Sequence, residues 1–475
     1  MTNLEVNHPD EAGPLSGREA AFQAVHAVLC GRRFVNETLA QLREQRRLEG
    51  REAALATEVA LGAVRHAITI EHVLRAVARF DERRLKPGLR AILLAAGYQI
   101  IWMERIPEFA AVDEAVEQAR RHVGGRAPGM VNAILRSLTR AIEQRRGAWQ
   151  PRDPKHVRVS WDQACAFQTH VLPAPEEKGL VEHLAAATGE RSARYRTLVE
   201  HFGEQQAEPI AWATQAVPVT VLHRHTLRIN PGVFQTRIRE TFGDAAEWTP
   251  DAVFLPPAVN VVDTALFREG RVYVQDVTAR TAALLVGARP GESVLDFCAA
   301  PGGKSIVLAQ QMGDRGEVVA CDASPDRILR VRENAQRLRL TSIRTHLIQT
   351  SDASESDLTR TFDAALVDVP CTNTGVIARR PEARLGLTTE KLASLVELQT
   401  ALLRRAAASV RPGGRLVYST CSIEPQENEQ IVEAFVAENP AWELVTSETT
   451  LPTWGPRLSD WRDGGFAALL VRGAG

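Results

Sequence analysis

One stretch of the chain, an apolar run that enters a loop of small residues and continues as a helix, constrains the fold more than any other. The run is Val294-Leu295-Asp296-Phe297, and the loop is Cys298-Ala299-Ala300-Pro301-Gly302-Gly303-Lys304. A strand that passes through glycine-rich backbone into a helix presents free N–H groups at the positive end of the helix dipole. This stretch therefore predicts a strand–loop–helix unit that binds a nucleotide-like cofactor.

The spacing of this loop is close to that of the phosphate-binding P-loop, G-x-x-x-x-G-K-[ST]. Cys298 stands at the first position, where that motif needs glycine for a tight turn, whereas Gly303, Lys304 and Ser305 match it. An ordinary strand–loop–helix corner is the remaining simple interpretation. The residues that follow the next strands decide among these alternatives.

Strand-like and helical patterns alternate along residues 276–475. Such alternation predicts an α/β domain with a doubly wound, mostly parallel, Rossmann-like sheet. The predicted strands are 293–298, 317–322, 344–349, 363–369, 415–420 and 466–472.

Acidic residues stand at or just after the ends of three successive predicted strands. Asp322 closes the second strand, Asp352 follows the third, and Asp368 ends the fourth. The carboxyl ends of parallel strands share the edge of the sheet where ligands bind, and an acid at the position of Asp322 binds ribose hydroxyls. The three acids therefore favour a nucleoside cofactor over a phosphate-binding site.

Two of the six cysteines, Cys371 and Cys421, come just after the ends of neighbouring predicted strands, at the same edge. Buried structural cysteine is the ordinary interpretation of one such thiol, but two at this edge indicate chemistry. A thiolate that adds to C6 of a pyrimidine turns C5 into a nucleophile towards an electrophilic methyl group. The adduct must then lose the C5 proton and expel the thiol, so a second group for release is useful.

The first part of the chain has a different character. Residues 16–147 show helical periodicity nearly throughout and predict an all-α bundle, preceded by a polar, disordered tail over 1–15. Residues 148–190 contain four prolines and little periodicity, which favours a linker or insertion. A helical pattern followed by an alternating one predicts a small α+β domain over 191–275.

The composition excludes several classes of protein. No apolar run reaches the roughly 18 residues that a membrane helix needs, and the first residues carry no signal-peptide pattern. Six cysteines in 475 residues do not form a disulfide framework, so we expect reduced thiols. These features predict a cytoplasmic protein without a membrane or metal, which we expect to be monomeric.

Two resemblances connect these patterns. Residues 51–58, 62–66 and above all Val131-Asn132-Ala133-Ile134-Leu135-Arg136 resemble the NusB-type RNA-binding fold. Residues 298–304, 368–371 with Gly375, and 420–422 resemble the Fmu/Sun family of S-adenosylmethionine-dependent RNA cytosine-5 methyltransferases. With its NusB-like front end, the chain is similar to the members of that family that methylate the RNA of the small ribosomal subunit.

The second resemblance implies a class I methyltransferase fold and a role for each residue of the site. It implies that Cys421 is the nucleophile at C6, that Cys371 helps to release the product, and that Asp368 contacts both the cytosine and the cofactor. Residues 298–304 would surround the methionine part of S-adenosylmethionine. Asp322 would contact the ribose, and Asp352 the adenine side.

The first resemblance implies an RNA-facing helical domain, and the two together imply RNA, foremost 16S ribosomal RNA, as the partner. Arg18 and the neighbours Arg65 and His66 would be phosphate contacts, although a solvated helix face is the more ordinary interpretation of each. The chain departs from the methyltransferase pattern at three positions. Asn373 replaces a small residue, Ser351 replaces glycine, and Gly465 replaces an aromatic residue, which is expected to loosen the last strand.

Several alternatives stay open at this point. The same chemistry could act on tRNA, and a non-catalytic RNA-binding assembly factor could retain the fold, although the presence of Cys421, Cys371 and Asp368 argues against the latter. DNA cytosine methyltransferases commonly have glutamine where Thr372 stands. DNA exocyclic-amine methyltransferases have Pro-Pro-aromatic after the acid, and residues 369–371 do not match that pattern.

Overall fold

In the computed structural model, the described residues are 15–31, 34–46, 48–78, 80, 85–257, 259–348 and 360–474. Three sequence expectations fall outside this range. They concern nearly all of the tail 1–15, Ser351, and the adenine-side residue Asp352.

The chain forms two compact units. The N-terminal unit comprises Met1–Ala216 and the short segment Arg380–Gly386, and the C-terminal unit comprises Val217–Arg379 and Leu387–Gly475. The stretch 191–275, expected to be one α+β domain, is thus shared between the units at Ala216. Its helices before Ala216 belong to the N-terminal unit, whereas its later helices and its strands belong to the C-terminal unit, where the strands form a sheet of their own.

The N-terminal unit is a helical bundle followed by a small sheet. Its last long helix shows why the sequence folds in this way, because Val131, Ile134, Leu135 and Leu138 are spaced to bury one face. Its elements are α1 (Gly17–Leu29), α2 (Val35–Arg46), α3 (Gly50–Arg65), α4 (Ala67–Ala78), α5 (Pro87–Trp102), α6 (Glu108–His122), α7 (Ala127–Ala141), β1 (Ile142–Ala148), β2 (His156–Arg158), β3 (Gln163–Phe167), α8 (Pro175–Lys178), α9 (Leu180–Ala187), α10 (Ser192–Phe202) and α11 (Glu204–Ala213).

Residues 148–190, expected to be a linker or insertion, contain regular structure. β1, β3 and β2 form an antiparallel sheet in that order, and α8 and α9 follow it. Val157, Cys165 and Phe167 are buried in the same hydrophobic core as the helices. The strands are short, three residues in β2 and five in β3, which is why periodicity does not reveal them.

The structure corrects the expectation that Arg65 and His66 contact phosphate. Arg65 is 3% exposed and His66 is 6% exposed, and the ring of His66 stacks on Trp102 with the centroids 4.1 Å apart. Burial lowers the pKa of His66 well below its ordinary value. Neither side chain is accessible to RNA. Arg18 is half-buried, and its Nε donates to Oε1 of Gln99 at 2.8 Å.

The C-terminal unit contains a small four-stranded sheet and a large seven-stranded one. Continuing in chain order, the elements are β4 (Thr220–Arg224), α12 (Pro231–Phe242), β5 (Glu247–Trp248), β6 (Val253–Leu255), α13 (Ala265–Arg268), β7 (Val272–Val274), α14 (Val277–Leu285), β8 (Ser293–Phe297), α15 (Gly303–Gln311), β9 (Glu317–Asp322), α16 (Pro325–Leu338), β10 (Ile343–Leu347), β11 (Phe362–Asp368), α17 (Ala383–Gly386, within the N-terminal unit), α18 (Thr389–Ala408), β12 (Val410–Thr420), α19 (Glu429–Glu438), β13 (Trp442–Thr450) and β14 (Gly465–Arg472).

The large sheet confirms the predicted doubly wound fold. Its strand order is β10-β9-β8-β11-β12-β14-β13; the first five strands are parallel, and β14 runs antiparallel to both of its neighbours, β12 and β13. Alternate residues of β8 enter opposite cores, Val294 on one face of the sheet and Leu295 with Phe297 on the other. Because the strand order reverses beside β8, the loops after β8 and β11 lie at the switch point where ligands bind.

The antiparallel edge of this sheet differs from expectation in two ways. β13 was not predicted, because its second half, Thr446–Thr450, is polar and partly exposed. Gly465 does not loosen the last strand. β14 begins at Gly465 and pairs with both β12 and β13, and a Cβ atom there would lie 2.8 Å from the carbonyl oxygen of Thr420.

Among the described helices, no single one is long and apolar enough to cross a membrane. The pair α3 and α4, bent by 73°, has the length and composition of a span only when the two helices are taken together.

Candidate active site

The loop after β8 is tightly folded and leads into an uncapped helix. The N–H of Ala299 donates to the carbonyl oxygen of Cys321, and that of Gly302 to Ala299, both at 2.8 Å. Gly302 has φ +97°, and a Cβ atom there would lie 3.1 Å from the side chain of Val331, so glycine is needed. No side chain caps the N-terminus of α15. Its first amide groups are therefore suited to a carboxylate.

Asp322, at the end of β9, faces this loop. Its Oδ2 accepts the N–H of Ala300 at 3.2 Å and lies 3.4 Å from the guanidinium of Arg327, while Oδ1 accepts the N–H of Ser324. Asn334 Nδ2 also donates to the carbonyl oxygen of Pro301 at 3.1 Å. The loop predicted from the sequence is thus held against the end of the neighbouring strand.

Lys304 and Asp368 form an ion pair at the switch point. Lys304 Nζ lies 2.7 Å from Oδ2 of Asp368, and the hydroxyl of Ser419 donates to its Oδ1 at 2.8 Å. Burial alone would lower the pKa of Lys304, but the charge of Asp368 raises it above the ordinary value. Lys304 therefore keeps its positive charge, and its contact with Asp368 orients the side chain at the end of β11.

Asp296 is a fully buried carboxyl group beneath the loop. The hydroxyl of Ser305 donates to its Oδ2 at 2.5 Å, and its Oδ1 has no hydrogen-bond partner within the described part of the chain. Burial raises the pKa of Asp296 to about 7.

We expect Asp296→Asn to flatten the pH dependence of stability. The pKa of an unfolded aspartate is about 4, so the protonated form favours folding and its contribution is lost as the pH rises from about 4 through 7. The free energy of unfolding, measured with denaturant, should differ between pH 5 and pH 8 by about 2 kcal/mol less in the variant than in the wild-type protein. Asp326→Asn, at an exposed position of α16, is the control. An unchanged pH dependence in Asp296→Asn would contradict this interpretation.

The two predicted catalytic cysteines lie side by side. β11 and β12 are parallel neighbours with Asp368 opposite Ser419, so the loops that follow them emerge together. Sγ of Cys371 is 3.1 Å from Sγ of Cys421. The hydrogen bond with Cys421, together with burial, raises the pKa of Cys371 well above its ordinary value, so Cys371 remains a thiol. Burial also raises the pKa of Cys298, which argues against a thiolate in the cofactor loop.

A buried polar network joins the two cysteine loops. The carboxylate of Glu427 accepts the N–H of Thr372 at 2.9 Å, the hydroxyl of Thr372, and Nε2 of Gln399 at 2.8 Å. The hydroxyl oxygen of Ser422 lies 3.2 Å from that of Thr372 and 3.0 Å from that of Thr374. These bonds fix the distance between the thiols. Residues 425–429 extend the resemblance to the methyltransferase family, but no role was predicted for Glu427, because its partners lie far from it along the chain.

Cys421 opens on a cleft at this edge of the sheet. Lys304, Asp368 and Phe466 line it together with residues of α14 and β13, so the predicted catalytic and cofactor-side residues share one opening. The lining residues are Asp276, Thr278, Ala279, Thr281, Ala282, Leu285, Lys304, Asp368, Val376, Ser419, Thr420, Cys421, Thr446, Glu448, Thr450, Asp463, Gly464, Gly465, Phe466 and Ala467.

A second charged cluster at this cleft was missed by the sequence analysis. Nε of Arg379 lies 2.5 Å from Oδ2 of Asp463, and its Nη2 lies 3.5 Å from Oδ2 of Asp276. Burial raises the pKa of Asp463 to about 7, against the lowering effect of Arg379. Asp276 caps α14 by accepting the N–H of Thr278, and its only sequence signal was that of a helix cap.

Comparisons with known proteins give matches for both the helical and the α/β part of the chain. The family profile described as 16S rRNA methyltransferase RsmB/F matches residues 283–455, and that of the NusB family matches residues 16–140. The probable ribosomal RNA small subunit methyltransferase B of Bacillus subtilis is 30% identical over 456 residues, 92% of each chain. The ribosomal RNA small subunit methyltransferase B of Vibrio cholerae is 31% identical over 449 residues, again 92% of each chain.

Two solved structures show the likeness of fold. The crystal structure of PH0851 aligns with 96% of this chain and 99% of its own, with a TM-score of 0.72 and 21% identity. A methyltransferase homolog protein from Pyrococcus horikoshii aligns with 61% of this chain and 97% of its own, with a TM-score of 0.51 and 25% identity.

Proposed function

The chain belongs to the RsmB/F family of ribosomal RNA small-subunit methyltransferases, as its sequence predicted, and on that premise we propose that it methylates C5 of a cytosine in 16S rRNA through a covalent bond from Cys421 to C6. The single observation that carries the proposal is the thiol pair, 3.1 Å apart, with Cys421 on a cleft that Lys304 and Asp368 also line. An enzyme that methylated an exocyclic nitrogen would have no use for a nucleophilic thiol.

The residues of the loop fit S-adenosylmethionine. The uncapped N-terminus of α15 suits the carboxylate of its methionine part, and Asp322 suits its ribose hydroxyls. Asp352, proposed for the adenine side, lies outside the described residues. When bound, the cofactor supplies an electrophilic methyl group on a positively charged sulfur. Asp368, held by Lys304 and Ser419, is placed to orient both the cytosine and the donor.

Cys421 supplies the covalent step. Its thiolate forms a bond from Sγ to C6, and the electron pair of the C5–C6 double bond becomes available at C5, which takes the methyl group as the bond from that group to the donor sulfur breaks. C5 then loses its proton to solvent, the double bond forms again, and the bond from Sγ to C6 breaks with its electron pair returning to sulfur. Cys371 remains a thiol beside this sulfur and is placed to stabilise the departing thiolate by donating a hydrogen bond.

RNA is the partner that we propose, on the strength of the family to which the chain belongs. A cytosine offers C5 and C6 to a protein thiol only when it lies in a loop or leaves its stack. The NusB family match over residues 16–140 supports an RNA-binding role for the N-terminal unit.

The substrate is tested by methyl transfer from tritiated S-adenosylmethionine to transcripts of 16S rRNA and of tRNA, with bisulfite mapping of the product. We expect one methylated cytosine in 16S rRNA and none in tRNA. Methylation of tRNA alone would assign the same chemistry to the other substrate, and absence of methylation in both, with intact binding of RNA, would favour a non-catalytic assembly factor.

A further inference from the structure

The side chain of Asn373 bridges the two cysteine loops in a defined orientation. Its Nδ2 donates to the carbonyl oxygen of Cys371 at 2.9 Å, and its Oδ1 lies 3.3 Å from Sγ of Cys421. A carbonyl oxygen accepts but cannot donate, so the bond to Cys371 decides which end of the amide faces Cys421. The backbone of Asn373 has φ +63°, in the left-handed region that asparagine tolerates.

This orientation assigns the protons of the thiol pair. Because Oδ1 of Asn373 can only accept, the contact at 3.3 Å uses the single S–H proton of Cys421. The contact of 3.1 Å between the sulfurs then leaves Cys371 as the donor and Cys421 as the acceptor. Without Asn373, either thiol could donate to the other, and the geometry of the pair alone would not distinguish nucleophile from helper.

We propose that Asn373 is a positioning residue that directs the proton of Cys421 away from Cys371 and so sets which of the two thiols becomes the nucleophile. When Cys421 loses its proton, the resulting thiolate keeps the hydrogen bond from Cys371 but faces the negative end of the Asn373 amide dipole. Asn373 thereby orients the proton of Cys421 until a cytosine enters the site. This inference rests on the proposed covalent mechanism.

The other charged groups near Cys421 are the same in every variant used to test this role. They are Lys304, Asp368, Asp276, Asp463 and Glu448 along the cleft and Glu427 behind Cys371.

Two substitutions at Asn373 separate its electrostatic role from a structural one. Asn373→Gly removes the amide and accepts the positive φ without strain. Asn373→Asp keeps the size of the side chain but presents a negative charge to Cys421. We expect the pH at which adduct formation is half-maximal to fall by about 0.5 to 1 unit in Asn373→Gly and to rise by about 1 unit in Asn373→Asp.

The measurement uses the full-length protein, S-adenosylmethionine and 16S rRNA transcripts that contain 5-fluorocytosine. After methyl transfer the C5 fluorine cannot leave as a proton does, so the adduct accumulates. The rate of adduct formation is followed from pH 6 to pH 9 on denaturing gels, and peptide mapping identifies the attached cysteine. Thermal unfolding of each variant reports whether it is folded. Asn373→Asp tests the same role if Asn373→Gly is unstable.

The outcomes are distinguishable. A shift in opposite directions for the two variants, with Cys421 carrying the RNA in the wild type and some RNA on Cys371 in Asn373→Gly, supports the inference. Coincident pH profiles in folded variants, or shifts in the same direction, would overturn it while leaving the covalent mechanism in place. No adduct in the wild-type protein at any pH would instead overturn the proposed function.

Discussion

Replacement of Cys421 by alanine is expected to abolish methyl transfer to RNA, with a loss of at least about 10³-fold. C5 of cytosine is a poor nucleophile until a group adds at C6, and the methyl side chain of alanine cannot form that bond. Cys371 is not expected to substitute for it, because it is buried: the hydrogen bond with Cys421 is lost in this variant, but burial still raises the pKa of Cys371. Transfer of tritium from S-adenosylmethionine to a 16S rRNA transcript measures the effect.

Cys30→Ala is a matched control for this experiment, because Cys30 is a free, partly exposed thiol of the N-terminal unit. It should retain full activity. Binding of S-adenosylmethionine to Cys421→Ala, followed by calorimetry, should also be retained, because Cys421 is not part of the loop after β8. Full activity of Cys421→Ala together with an inactive Cys371→Ala would reverse the assignment of the nucleophile.

The position of the site at one edge of the sheet was predictable, because a parallel sheet leaves little freedom in where the ends of its strands lie. Once residues 293–298, 317–322, 363–369 and 415–420 are recognised as parallel strands, their carboxyl ends must meet at one edge. The sequence therefore placed Lys304, Asp322, Asp368 and Cys421 in the same region, and the ion pair of Lys304 with Asp368 and the opening of Cys421 on that cleft agree with it.

The distance between the two thiols was not predictable. It depends on the register of β11 against β12 and on Glu427, which ties Thr372 to Gln399 from a short turn after Cys421. Whether an acid such as Glu427 is buried is decided by residues about 30 to 55 positions away, and a single sequence contains no pattern for this. The orientation of the Asn373 amide was not predictable either, because it depends on the position of Cys421, 48 residues away along the chain.

The burial of Arg65 and His66 was unpredictable for a similar reason. On α3 the pair continues an ordinary amphipathic pattern, which is equally consistent with a basic surface. Arg384, 319 residues further along the chain than Arg65, packs against this pair. Its guanidinium donates to the carbonyl oxygen of Arg65 at 2.5 Å and forms an ion pair with the buried Glu190 at 3.0 Å. Nothing in residues 380–386 indicates that they belong to the N-terminal unit.

Replacement of Cys371 by alanine is expected to trap the enzyme on its substrate. In the wild-type protein, the thiol of Cys371 lies 3.1 Å from Sγ of Cys421 and is placed to donate to it. This hydrogen bond stabilises the free thiolate but not the thioether that Cys421 forms with C6. Its loss therefore raises the energy of the departing thiolate and shifts the balance towards the covalent adduct.

The adduct is detected as a protein band of reduced mobility on denaturing gels after incubation with 16S rRNA and S-adenosylmethionine, and RNase digestion should remove the shift. We expect the band in Cys371→Ala and a release slower by at least about tenfold, since a hydrogen bond to a charged group contributes about 1.5 to 3 kcal/mol. Cys371→Ser retains a donor and should release product faster than Cys371→Ala.

The double variant Cys371→Ala with Cys421→Ala determines what the trapped band means. If Cys421 carries the RNA, the double variant forms no adduct, and peptide mapping of the single variant places the RNA on Cys421. A band that persists in the double variant would show attachment elsewhere. Among the described residues, Cys371 is the sole thiol within hydrogen-bond distance of Cys421. Rapid turnover by Cys371→Ala without any adduct would therefore show that Cys421 leaves the cytosine without help from a second thiol.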